Sequence, residues 1–190
     1  MRVVWRVASA VAAVHAAVDM LIDTDPVLTA ASGHDIDDDF ALLLARWVGG
    51  EELRLLGITA TFGNANSSET LGDATRVSRE AGLAAPWIAR GGDEGDSLTT
   101  VTEGSEKMAS ALRAHPNATV LCIGSMWTAA ATLTQYPDLV PSVGRLVMLG
   151  GTNGAGGRAT KGRFHVSSTR VVRDQFFSKT AFALRDLEER

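Results

Sequence analysis

The stretch that decides the fold runs from Asp19 to Asn66: DMLIDTDP (Asp19–Pro26), a loop, then DIDDDFALLLARWVGG (Asp35–Gly50) and EELRLLGITATFGNAN (Glu51–Asn66). Asp19–Asp23 continues an apolar run and reads as a buried strand. The segment 37–48 reads as a helix with aspartates in its first turn, where the macrodipole favours them. Phe40, Leu44, Trp47 and Val48 fall on one face of that helix, and Leu42 and Leu43 widen the apolar surface toward all-round burial. Gly49-Gly50 ends it, and Leu53–Phe62, rich in apolar and β-branched residues, is the second strand. Two buried strands flanking a helix form the unit of a parallel sheet.

Outward from this unit the alternation continues. The spacing predicts a helix over 67–82, a short strand at 87–89, a helix over 103–114, and a strand at 119–123. A short helix over 127–133, a strand at 145–149 and a final amphipathic helix over 171–188 complete the pattern. The expected fold is α/β, an open, mostly parallel sheet with helices on both faces, occupying residues 19–190. At 190 residues the chain is long enough to bury roughly 70% of its extended surface.

Residues 1–18 (MRVVWRVASAVAAVHAAV) stand apart. Arg2 and Arg6 precede a short Ala/Val run too brief to cross a bilayer. They read as a signal peptide cleaved near Ala16 or as an extra N-terminal helix. The expected location depends on that choice: secreted with a signal peptide, cytoplasmic without one.

Composition narrows the function. There are 18 basic and 22 acidic residues, a net charge of −4, with no basic cluster. This argues against a nucleic-acid partner, whose affinity comes from clustered Lys and Arg. A single cysteine, Cys122, excludes a disulfide framework and a cysteine-based zinc site. In parallel sheets ligands bind beyond the carboxyl ends of the strands. Past each of those ends the chain turns polar or glycine-rich: DTDP, GNAN, GSMWT and GGTNG. Asp23, Asp25, Asp35, Asp37, Asp38 and Asp39 all flank one strand-to-helix junction. Carboxylates this dense repel one another unless a cation neutralises them, and an oxygen-only donor set points to Ca²⁺ or Mg²⁺.

Taken together, LIDTDP, DIDDDFALLLA, LLGITATFGNAN, TVLCIGSMWTAAATL and RLVMLGG resemble, in order and spacing from about Met20 to Gly151, the inosine-uridine preferring nucleoside hydrolase family. The resemblance implies hydrolysis of the N-glycosidic bond of ribonucleosides to ribose and base, with a bound Ca²⁺. Position by position it implies Asp25 as calcium ligand and general base, and Asp38 as calcium ligand. It implies Asp37 and Asn64 as ribose contacts, and the main-chain carbonyl of Trp127 as a further metal ligand. It implies a small nucleoside as partner, no membrane span, and leaves homo-oligomerisation open.

The sequence also departs from that pattern. Val27–Ser32 lengthen the loop after DTDP, and Trp127-Thr128 replace the usual Thr-Asn. Gly157 and Arg163-Phe164-His165 stand where sugar contacts are expected, and the segment bearing the family's leaving-group histidine and last calcium aspartate is not reached. By this reading the 190-residue species is poor or inactive. Two other classes fit parts of the sequence. One is a non-catalytic remnant that keeps the calcium loop. The other is a haloacid-dehalogenase-like phosphatase, with Asp23 as nucleophile and Asp25 as acid.

Overall fold

The computed structural model describes residues 17–28, 36–49, 52–149 and 165–166. Strands β1 (Val18–Thr24), β2 (Leu53–Ala60), β3 (Ile88–Arg90), β4 (Ala118–Cys122), β5 (Val143–Leu149) and β6 (His165–Val166) form one sheet in the order β3-β2-β1-β4-β5-β6. The first five are parallel, and β6 pairs antiparallel to β5. Helices α1 (Asp37–Val48), α2 (Ser67–Ala81), α3 (Glu103–Ala114) and α4 (Trp127–Gln135) connect them, with a 3₁₀ turn over Pro137–Ser142. The expected α/β architecture is present. The expected helix over 171–188 and the N-terminal segment 1–16 lie outside the described residues. No helix among the described residues is long and apolar enough to cross a membrane.

Side chains of the central strands serve two cores. A register shift where Met20 and Leu21 pair with Leu55 and Gly57 resets the alternation in β2, so that Leu55 and Ile58 share a face opposite Leu56. Ile22, Leu55 and Ile58 pack with Leu42 and Ala45 of α1 and Val77 of α2. Leu21, Leu56 and Val120 pack on the other face with Met108 and Leu112 of α3 and Leu133 of α4. Helix α2 is capped by Asn66, whose side chain accepts from the amides of Ser68 and Glu69. Helix α3 opens with a reciprocal Thr102–Ser105 capping box.

One expectation is corrected. The apolar face predicted for α1 points outward: Phe40 is 63% exposed, Leu44 56%, Trp47 86% and Val48 44%. The buried positions are Asp38, Asp39, Leu42 and Ala45. At about 100° per residue, positions 38, 42 and 45 lie opposite 40, 44 and 47. What turns the helix this way is Asp38, whose carboxylate is held by Thr24 and by the main chain of Asp25. A polar tie at the N-terminus thus overrides the stronger apolar stripe. Because Trp47 buries so little, Trp47→Lys is expected to change stability by no more than about 0.5 kcal/mol. Urea midpoints of variant and wild type check this, and a loss of core-mutation size would restore the inward face.

Candidate active site

The carboxyl ends of β1, β2 and β4 meet at one rim. Asp25 directly follows β1 and is 7% exposed. Its Oδ2 accepts the Asn64 amide at 2.8 Å, and its main-chain oxygen accepts Asn64 Nδ2 at 3.1 Å. Asn64 therefore grips Asp25 at both its side chain and its backbone. The close fit depends on Gly63, where a Cβ would lie 1.7 Å from Asp25 Oδ2.

Asp38, 3% exposed in the first turn of α1, approaches Asp25 from the other side. Its Oδ1 accepts the Asp25 amide at 3.1 Å and the Thr24 hydroxyl. Burial raises its pKa to about 6, with the charge of Asp37 adding to the effect. Asp37 is turned back onto its own helix, where its Oδ1 accepts the Asp38 amide at 3.1 Å. The structure therefore brings Asp25, Asp38 and Asn64 together, with Asp37 beside them. Among the described residues, no three His, Cys, Asp or Glu side chains stand together as a metal cage.

Trp127 is the first residue of α4 and is buried. Its indole N–H donates to the Asp96 carbonyl at 3.2 Å, and its ring fills the space a Cβ at Gly92 would need. The turn before it lies against Asp25: a Cβ at Gly124 would come within 3.0 Å of the Asp25 nitrogen. Ser125 and Thr61 share a hydrogen bond of 3.0 Å across the ends of β4 and β2.

Several residues of this rim are invisible to motif reading. Thr24 holds Asp38, and Thr59 donates to Asp23 Oδ1 at 2.7 Å. Asp23 is fully buried; its Oδ2 accepts the Ala129 amide at 3.4 Å, and burial raises its pKa to about 6. A carboxylate so enclosed and engaged cannot attack a phosphate, which removes the phosphatase reading built on Asp23 as nucleophile. Asp39 is also buried. Burial and the charge of Asp73 raise its pKa, and neither of its oxygens has a hydrogen-bond partner among the described residues. Asp35 and His34 lie outside the described residues, as does the side chain of His165.

Comparison with known proteins agrees with this layout. The chain is 27% identical over 180 aligned residues to the pyrimidine-specific ribonucleoside hydrolase RihA of Klebsiella pneumoniae subsp. pneumoniae, covering 79% of this chain and 53% of that protein. Among solved structures it is similar to the type III effector XopQ complexed with adenosine diphosphate ribose, at a TM-score of 0.60 and 24% identity over 74% of this chain and 46% of that one. It is also similar to the plant nucleoside hydrolase PpNRh1, at a TM-score of 0.57 and 20% identity over 70% and 48%. The chain thus spans about half the length of these relatives. The profile described as inosine-uridine preferring nucleoside hydrolase matches residues 20–164, most of the chain and all three strand ends that build the rim. The chain belongs to the inosine-uridine preferring nucleoside hydrolase family.

Proposed function

We propose that this chain cleaves the N-glycosidic bond of ribonucleosides, with water as nucleophile and Asp25 as its general base. The observation that carries the reading is the Asp38–Asp25–Asn64 arrangement. Two buried carboxylates lie side by side near the strand ends, and Asn64 holds one of them, its main-chain amide on the Asp25 carboxylate and its side chain on the Asp25 carbonyl.

The donor set fits a hard cation. It is oxygen-only, and the elevated pKa of Asp38 marks negative charge that its surroundings leave uncompensated. Asp25 and Asp38 would hold Ca²⁺, with the Trp127 main-chain oxygen as a further ligand. Bound there, Ca²⁺ supplies Lewis-acid activation of water and neutralises the carboxylates.

The remaining work belongs to the protein. Asp25 removes a proton from water as the water attacks the anomeric carbon. Asn64 and Gly63 fix the orientation of that carboxylate. Asp37 Oδ2 and Asn64 Oδ1 would meet the ribose hydroxyls, while Asp37 Oδ1 and Asn64 Nδ2 bond the Asp38 amide and the Asp25 carbonyl. As the bond to the base breaks, its electron pair leaves on the base nitrogen, which takes up a proton from solvent, and the rim carboxylates offset the positive charge that develops on the sugar.

The test is release of base and ribose from uridine and inosine by purified chain with Ca²⁺ or with chelator. The expected result is slow release, well below a typical ~10 s⁻¹, that requires Ca²⁺ and disappears in Asp25→Asn. Absence of both turnover and Ca²⁺-dependent ribose binding, or turnover indifferent to Asp25, overturns the reading. Gly63→Ala offers a milder probe, because the new methyl displaces the Asp25 carboxylate. A shift of about 1 Å at a reacting group costs on the order of 10²-fold. That loss is expected in rate or Ca²⁺ affinity, with the circular dichroism spectrum unchanged.

A further inference from the structure

Residues Ile123–Met126 join β4 to α4, and both ends of this turn hang on one residue. At its start, the main-chain oxygen of Asp23 accepts the amides of Ile123 at 2.8 Å and Gly124 at 3.2 Å. After it, the Asp23 carboxylate accepts the amide of Ala129. The other carboxylate oxygen is fixed by Thr59 of β2. Asp23 itself is a β1 residue, two positions before Asp25.

Helix α4 needs this outside help. Its N-cap residue, Met126, is left-handed at φ 63° and gives no side-chain cap. The first-turn amides of α4 therefore have no side-chain acceptor at the N-cap, and that of Ala129, itself buried, is accepted by a carboxylate from another strand. Thr128 is fully buried, and Trp127 and Ala129 nearly so. A carboxylate is the favoured group at a helix N-terminus, and here it comes from a strand more than a hundred residues earlier.

The geometry points to Asp23 as a positioning residue. It sets the turn and the first residues of α4 against Asp25, and through them it sets the grip of the rim on a hard cation. The inference rests on the reading of the Trp127 main-chain oxygen as part of that grip. Asp23 touches neither water nor sugar in this scheme; it acts by holding the segment that carries the Trp127 main-chain oxygen. Partners that orient metal ligands typically contribute 10–100-fold in affinity.

The experiment compares Asp23→Asn with the wild-type chain in two measurements: calorimetric titration with Ca²⁺ alone, and amide hydrogen exchange without metal. Asn keeps an acceptor for Thr59 but loses the charge and one acceptor facing Ala129. The expected result is a Ca²⁺ Kd raised 10–100-fold, with exchange accelerated at residues 124–130 while β2 and α3 keep wild-type protection. A merely structural role would instead accelerate exchange across the whole sheet and lower affinity only in step with unfolding. A Kd within threefold of wild type, or unchanged exchange over 124–130, overturns the proposal.

If the wild-type chain itself binds no Ca²⁺, the cation reading fails. Exchange then decides the positioning of the turn by itself: faster at 124–130 supports it, unchanged overturns it. Should Asp23→Asn fail to fold, Thr59→Val replaces it, since it frees one carboxylate oxygen without altering the charge. An increase of threefold or more in Kd or local exchange supports the inference, and a smaller one sinks it.

Discussion

Asp38→Ala is expected to weaken Ca²⁺ binding by on the order of 10²-fold or more, because affinity in oxygen sites follows ligand charge and number. The same change has opposing effects on the metal-free fold. It orphans the Thr24 hydroxyl and the Asp25 amide, which now both end on Asp38 Oδ1. Each buried donor left without a partner costs about 1–3 kcal/mol. It also removes a buried carboxylate whose pKa is pushed up to about 6, so ionising it at pH 7 already costs stability. Asp38→Asn separates the two effects, since it keeps an acceptor and drops the charge. Without metal it is expected to equal or exceed wild type in stability at pH 7, yet to bind Ca²⁺ as poorly as the alanine variant. Calorimetry and urea midpoints on the three proteins check this. Ca²⁺ affinity retained within threefold in either variant would remove Asp38 from the ligand set.

The second large effect is on pH dependence. Asp23 and Asp38 each titrate near 6 in the folded chain against 3.8 as free groups, burial being the first cause in both. Between about pH 4 and 6 the folded chain therefore keeps protons that the unfolded chain has released. Stability must fall as pH rises through this window. Two pKa units correspond to roughly 3 kcal/mol per group. Cys122 adjoins Asp23, and Asp37 adjoins Asp38.

Asp19 and Asp93 work in the other direction. Arg54 holds the first below the usual carboxylate range, and the Ser67 amide does so for the second. Their contribution is complete above about pH 4 and is lost only in stronger acid. In chelator the urea midpoint is thus expected to peak near pH 4–5 and to decline toward pH 7.5. Asp23→Asn should flatten the decline, and Ca²⁺ should raise the midpoint far more at pH 7.5 than at 4.5. A midpoint that climbs steadily to pH 7.5 in chelator contradicts this account.

The parallel sheet and the rim were legible because each rests on local signals. Apolar runs of strand length end in DTDP, GNAN and GSMWT, and the rule that parallel sheets bind ligands past their carboxyl ends gathers those turns. Asp25, Asp38 and Asn64 meet as their positions imply. The outward face of α1 was not legible for a definite reason. Periodicity shows that a helix has an apolar stripe but not which way it points, and here one aspartate sets the rotation. Asp23 and Asp25 posed a similar problem. Two identical residues two positions apart read as equivalent chemistry, yet β1 ends between them. One is sealed among β2, β4 and α4, and the other stands at the rim. The roles of Thr24, Thr59 and Gly63 arise only when strands distant in sequence lie side by side.

The placement of β1 between β2 and β4 has a consequence for how the chain is made. Val18 pairs with Leu53 soon after it is synthesised, but Met20 and Asp23 wait for Thr119 and Cys122, about 100 residues later. At ordinary ribosomal speeds of about 5–20 residues per second, one edge of the central strand stays open for roughly 5–20 s. During that interval it offers a bare row of amides and carbonyls to any passing strand. Asp23, which the finished protein seals away, is still an exposed acidic residue of that strand until β4 arrives.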